Sequence, residues 1–336
     1  MIRASHARWV ATKAAYGGGG LGLLGALGVG LLFVEARVAR RVVGVSDGVT
    51  LDPDGRYGTG DGPPLRFAVL GDSCAAGLGV AEIEQTPGAI LADGLSRAAG
   101  RPVDLRSVAR SGARSTDLDE QVLNALPHRP DVALILIGGN DVTHRVPPAT
   151  AIRHLIDAVV TLRAAGAEVL VATCPDLGTI RPIGPPLRQL ARHKSRALAA
   201  AQTVAVIEHG GTTVSLGDLL GPEFAARPQE MFGPDRFHPS VAGYAAAAAV
   251  MLPALCSLVV PGLALPTGLP DTQARRLDSE DELRPVAQAA VEAVDRPGTE
   301  VVGVTVGGRE RGPRGRWALL RRLTRRTDVT PATATS

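Results

Sequence analysis

The sequence predicts an α/β fold, a three-layer α/β/α sandwich around a five-stranded parallel sheet. Three observations predict it. Five apolar runs recur along the middle of the chain: LRFAVLG (65–71), VDLRSV (103–108), DVALILIGG (131–139), AEVLVATC (167–174) and TTVSL (212–216). Most are continuously apolar rather than alternating, which is the signature of strands buried on both faces. Segments with helical periodicity lie between them: AILADGLSRAA, TDLDEQVLNAL, ATAIRHLIDAVVTLRAA and LRQLARHKSRALAAAQTVAVIEH. Strand–helix alternation with short connections gives a parallel sheet with right-handed crossovers and helices on its faces. With 45% hydrophobic but only 3% aromatic residues, the core must be built from Ala, Val, Leu and Ile.

In chain order, residues 1–13 form a short N-terminal segment carrying Arg3, Arg8 and Lys13. No charged residue occurs from Ala14 to Val34. At 1.5 Å per residue that stretch can cross a ~30 Å hydrocarbon core, so residues 14–34 are expected to be a single-pass membrane anchor. A cleaved signal peptide is the rival reading; its apolar region is normally shorter, and no clear A-x-A site follows here. Gly18, Gly22, Ala26 and Gly30 form a small-residue stripe that fits a helix–helix contact or simply a Gly-rich span. Arg37, Arg40 and Arg41 follow the span, so the positive-inside rule is balanced. A short N-terminus usually stays inside, which places the main domain outside the cytoplasm.

Residues 35–64, with DPDG and GTGDGPP, read as a linker. The compact domain is expected over residues 65–258 and closes with the helical VAGYAAAAAVMLPAL (241–255). Residues 259–336 read as a mostly disordered tail. Within it, the basic segment 309–326 sets Trp317, Leu319, Leu320 and Leu323 among Arg314, Arg316, Arg321, Arg322, Arg325 and Arg326. That pattern fits either a basic amphipathic helix on an anionic membrane surface or a solvated basic tail.

The net charge of +3 is too mild to predict a nucleic-acid partner. Three cysteines, Cys74, Cys174 and Cys256, contain no CxxC pair and suggest neither a disulfide framework nor zinc. His6, His128, His154, His193 and His209 form no HxxxH or HxH set, so no metal site is expected. Nothing in the sequence sets an oligomeric state.

The chemistry sits at the strand ends, where active sites of such sheets lie. The first run ends in Gly71-Asp72-Ser73, and the second is followed by SVARSGARS with Gly112 in the turn. The third ends in Gly138-Gly139-Asn140-Asp141, and the loop MFGPDRFHPS after the fifth holds Asp235 and His238. A serine hydroxyl is a weak nucleophile until a base takes its proton, and His238 can be that base. Asp235 can hold the ring Nδ1–H and stabilise the imidazolium. The oxyanion of a tetrahedral intermediate needs preorganised donors; the N–H of Ser73 at a helix start, the N–H of Gly112 and the amide of Asn140 can supply them. Asp72 and Asp141 are expected to bond backbone amides around the site. Each motif alone is ordinary turn or capping chemistry. DxxH occurs twice, because Asp141-Val142-Thr143-His144 repeats it, and His144 competes with His238 for the role of base. Asp176, in CPDLG, either lines the substrate pocket or forms a turn.

The set of blocks resembles the SGNH hydrolase superfamily, the GDSL esterases and lipases, over roughly Leu65 to Leu258. Gly71-Asp72-Ser73 matches its first block, Gly112 the second, Gly138-Gly139-Asn140-Asp141 the GxND block and Asp235-Arg236-Phe237-His238 the DxxH block. Cys74 and Ala75 depart from the Leu or Ile and Thr often found after the serine. The resemblance implies a flavodoxin-like sheet, metal-free ester hydrolysis without a cofactor, and an ester substrate that is a lipid, a glycan or a small acyl ester. Two other readings stay open: an acyltransferase or deacylase acting on envelope glycans or lipids, and a catalytically idle, membrane-tethered binding module.

Overall fold

The computed structural model describes residues 50–260, together with the backbone of a two-stranded pairing between Thr305–Val306 and Arg309–Glu310. The expected anchor at 14–34 lies outside the described residues. So does the expected basic helix at 309–326, except that its first two residues are in a strand.

Six strands form the main sheet. They are β1 (Gly55–Tyr57), β2 (Leu65–Gly71), β3 (Val103–Ser107), β4 (Val132–Leu136), β5 (Glu168–Ala172) and β6 (Thr212–Val214), in the order β1-β3-β2-β4-β5-β6. β2 to β6 are the five expected strands, and all of their pairings are parallel. β1 corrects the five-strand expectation. It pairs antiparallel with β3 from within the stretch read as a linker. Its glycines and acidic residues masked a pinned edge: Arg56 bonds Asp104 at 2.7 Å, and Asp54 accepts from the Ser107 N–H and the Arg106 guanidinium. A short, charged strand is a stable way to end a sheet.

The strand order reverses at β2, which lies between β3 and β4. That reversal is the switch point where a crevice opens at the carboxyl edge.

Alternate residues of the central strands feed two cores. Phe67, Val69, Leu134, Leu136 and Leu170 meet one helix layer, made of α1 (Pro87–Ala99) and α9 (Val241–Val259). Ala68, Leu70, Ile135, Val169 and Val171 meet the other layer. That layer holds α2 (Leu118–Ala125), α4 (Pro148–Ala164) and α5 (Leu187–Glu208). Short helices complete the chain: α3 (Gly139–Thr143) after β4, and α6 (Leu216–Leu219), α7 (Gly221–Ala226) and α8 (Pro228–Met231) before α9. Among the described residues α9 alone is long and apolar enough to cross a membrane, but it is mostly buried inside the domain. Its burial against the sheet and α1 is that of a core helix.

Candidate active site

β2 delivers Ser73 through a turn that only glycine permits. Gly71 has φ 138°, and a Cβ there would meet the Leu136 carbonyl oxygen at 1.9 Å. Ser73 stands in a run of turns rather than at the helix start expected from sequence; α1 begins only at Pro87. Leu78 N–H closes the turn on the Ser73 carbonyl at 2.9 Å, and the buried Tyr244 hydroxyl donates to the Leu78 carbonyl at 2.7 Å. The small residues Ala75, Ala76 and Gly77 let this turn pack tightly.

The loop after β6 brings its histidine to that serine. His238 Nε2 lies 2.9 Å from Ser73 Oγ, and its Nδ1 lies 2.6 Å from Asp235 Oδ2. A carboxylate only accepts, so Nδ1 carries the proton and Nε2 is free to accept from the hydroxyl. Asp235 is itself held: its Oδ1 accepts from the N–H groups of Phe237 and His238, both at 3.0 Å. Arg236 takes a positive φ of 57° to make this tight turn, and Gly233 N–H bonds the His238 carbonyl at 2.8 Å. Phe237 packs edge-on against the imidazole, with ring centres 4.9 Å apart. Ser73 and His238 are 6% and 8% exposed, so the pair is shielded but reachable.

His144 is not brought to Ser73. It is exposed, and its Nδ1 lies 3.0 Å from the Asn140 carbonyl. Asp176 proves a turn former: it caps the turn at Leu177–Thr179 and pairs with Arg192 of α5.

The donors lie on separate loops. Among the described residues no acceptor takes the N–H of Ser73 or of Gly112. Gly112 sits exposed at φ 78°. Asn140, in the first turn of α3, uses one amide hydrogen on the Ala113 carbonyl at 3.0 Å, which aims the second.

Two buried carboxylates support these loops. Asp72 Oδ1 accepts from Cys74 N–H at 2.9 Å. Burial pushes the Asp72 carboxyl up to about 7 against the backbone hydrogen bond from Cys74, and the nearby charge of Asp141 adds to the rise. Asp141 accepts from Ser115 Oγ at 2.8 Å and from Ser115 N–H, tying α3 to the loop that carries Gly112. Burial raises Asp141 too, and the Ser115 hydrogen bonds oppose that rise. Burial drives the Cys74 thiol well above its ordinary value, so it is held as a neutral neighbour. Ser115, Phe237 and Tyr244 went unread in the sequence, where nothing but an isolated polar or aromatic residue marks them.

Comparison with known proteins identifies the family of the sequence. A family model described as the GDSL-like lipase/acylhydrolase family matches residues 69–246. A GDSL-like esterase of Mycobacterium tuberculosis is 39% identical over 269 residues, covering 76% of this chain and 85% of that protein. Among solved structures, TesA is 23% identical with a TM-score of 0.44, covering 58% of this chain and 99% of its own. A lipase/acylhydrolase from Enterococcus faecalis is 21% identical with a TM-score of 0.45, covering 57% and 96%.

Proposed function

This chain belongs to the GDSL-like lipase/acylhydrolase family and is an ester-cleaving hydrolase, and on that premise we propose that it works through an acyl-Ser73 intermediate with Asp235 and His238 completing the triad. The observation that carries the reading is the unbroken chain Ser73 Oγ, His238 Nε2, His238 Nδ1, Asp235 Oδ2 at 2.9 and 2.6 Å.

In this mechanism Ser73 Oγ attacks the ester carbonyl carbon as its proton passes to His238 Nε2. Asp235 stabilises the imidazolium and keeps the ring in the productive tautomer. The carbonyl oxygen becomes an oxyanion and takes hydrogen bonds from the N–H groups of Ser73 and Gly112 and from Asn140 Nδ2. Each such donor is worth roughly 10²–10³ in rate. The intermediate collapses, the C–O bond to the alcohol breaks, and His238 gives its proton to the departing alkoxide. Water then attacks acyl-Ser73 with His238 as base, releasing the carboxylic acid and restoring the serine. Asp72 and Asp141 act through the loops they bond. The catalytic domain takes in β1 as well as the expected residues 65–258, running from about residue 55 to 259, and the apolar stretch 14–34 tethers it.

The test is hydrolysis of a short p-nitrophenyl ester with Ser73→Ala alongside a fluorophosphonate probe. Turnover is expected to vanish and labelling to be lost, with thermal unfolding kept close to wild type. Retained turnover in Ser73→Ala would overturn the assignment.

A further inference from the structure

A crevice at the carboxyl edge of a parallel sheet requires neighbouring strands to part, and parting leaves peptide N–H and C=O groups without partners. This sheet meets that cost with a buried side-chain amide at each of two places. The β2–β3 pairing ends at Val69 opposite Ser107, two residues before Gly71. Gly71 N–H instead donates to Gln121 Oε1 at 2.7 Å, and Gln121 Nε2 donates back to the Gly71 carbonyl at 2.9 Å, which also accepts from Arg110 N–H at 3.1 Å. The β4–β5 pairing ends at Leu136 opposite Ala172. Beyond it, Cys174 N–H donates to Gln202 Oε1 at 2.7 Å and Gln202 Nε2 donates to the Ile137 carbonyl at 3.0 Å.

Both glutamines are almost fully buried, at 2% and 1% exposure. They reach in from α2 and α5, on the same helix layer. A primary amide is the side chain that carries one acceptor and one donor in the arrangement of a peptide group. Gln202 therefore replaces a missing rung between β4 and β5, while Gln121 supplies the acceptor that Gly71 N–H lacks and a second donor to its carbonyl. What they grip is telling: Gln121 holds the residue two before Ser73, and Gln202 holds the residue before Gly138, at the root of the loop that bears Asn140.

We propose that Gln121 and Gln202 are positioning residues for ester hydrolysis: buried side-chain amides that fix the nucleophile turn and the Asn140 loop where the strands part. The inference rests on the Ser73 reading. Its physical basis is that reacting groups tolerate little displacement; an error of about 1 Å can cost about 10²-fold. A methionine fills the same space and offers neither hydrogen bond, so the loop end is released while the core stays filled.

The experiment measures the rate of fluorophosphonate labelling at Ser73, and kcat and KM on a p-nitrophenyl ester, for the full chain with Gln121→Met or Gln202→Met. Expected is a fall of about 10- to 100-fold in labelling rate and in kcat, with KM within about threefold of wild type. Gln121→Glu provides the readout that a purely structural role would not move. Its protonated carboxyl can mimic the amide, while its carboxylate cannot donate to the Gly71 carbonyl. Labelling of this variant is expected near the wild-type rate at acidic pH, with an added loss as pH rises that wild type does not show. Burial places that loss above the ordinary Glu range. Wild-type labelling rates in both Met variants would overturn the proposal, as would a Gln121→Glu profile parallel to wild type at every pH. A wild-type protein that the probe never labels at Ser73 would overturn the catalytic reading and this inference together; a labelled wild type with unaffected variants would overturn this inference alone.

Discussion

His238 and His144 stand in identical DxxH spacings, yet their surroundings assign them different parts. His238 is buried, faces Ser73 Oγ on one nitrogen and carries Asp235 on the other. His144 faces solvent and bonds the carbonyl of its own helix turn. His238→Ala is therefore expected to lower kcat on the order of 10⁴-fold or more. His144→Ala should stay within about twofold, as exposed substitutions usually do. Steady-state kinetics on both variants checks the pair, and a dead His144→Ala beside an active His238→Ala would reverse the assignment. Asp72 makes a prediction about pH. Its carboxyl is raised from 3.8 to about 7 by burial, so the folded state holds a proton that the unfolded chain releases near 4. Stability from this group is full below about pH 4 and is lost as pH climbs through about 7. Asp72→Asn keeps an acceptor for the Cys74 N–H and removes the titration. The stability difference between wild type and variant should thus drift against wild type by up to a few kcal/mol from pH 4 to pH 8. Urea midpoints across that range measure it, and a constant difference would contradict the assignment.

At the scale of elements, β2, β4 and β5 were readable in the sequence because they are buried on both faces and carry few polar residues, while β3 and β6, with polar residues along them, were readable from their places in the strand–helix alternation. β1 escaped notice because a three-residue edge strand carries no periodicity. It is fixed by Arg56, Asp54 and Asp104, whose partners are about fifty residues away in the chain. The helix expected directly after Ser73 was misjudged for a related reason. Small residues favour a tight turn as well as a helix, and the glycines Gly77 and Gly79, at φ 74° and 105°, decide for the turn. The four blocks were legible because catalysis needs particular residue types at strand ends. Gln121 was not, since one polar residue on the apolar face of a helix, between Leu118 and Val122, announces no partner. Gly71 shows how strictly the element serves the site. Its Cβ-free approach to the Leu136 carbonyl is what lets β2 turn out of the sheet beside β4. Gly71→Ala should cost a few kcal/mol of stability and sharply slow Ser73 labelling. Chemical denaturation with probe labelling tests this, and wild-type values for both would show that the turn has room the geometry denies.

For the whole molecule, the domain and its attachment are separable questions with separable signals. α9 satisfies the length and apolarity of a membrane span, but its buried face packs on the sheet core and on α1, where Gly94 gives room to Leu252. Apolarity and lack of charge alone thus do not mark a span here; what distinguishes residues 14–34 is that they stand outside the strand–helix alternation that builds the core. If that stretch is an uncleaved anchor, the full chain should remain in the membrane pellet through alkaline carbonate, because ~30 Å of buried apolar helix is insensitive to pH and salt. A chain beginning at residue 35 should be released. The basic segment 309–326 predicts a different signature: any residual membrane binding of that shortened chain should disappear at high salt, since contacts of arginines with anionic headgroups are screened within about 10 Å at 0.1 M. Fractionation with and without carbonate and salt separates the two contributions. Release of the full-length chain by carbonate, or a mature chain whose mass lacks residues 1–34, would replace the anchor by a cleaved leader. Esterase activity of the chain beginning at residue 35 should equal that of the full chain on a soluble ester, because no described residue of the triad or of its donors lies before Ser73.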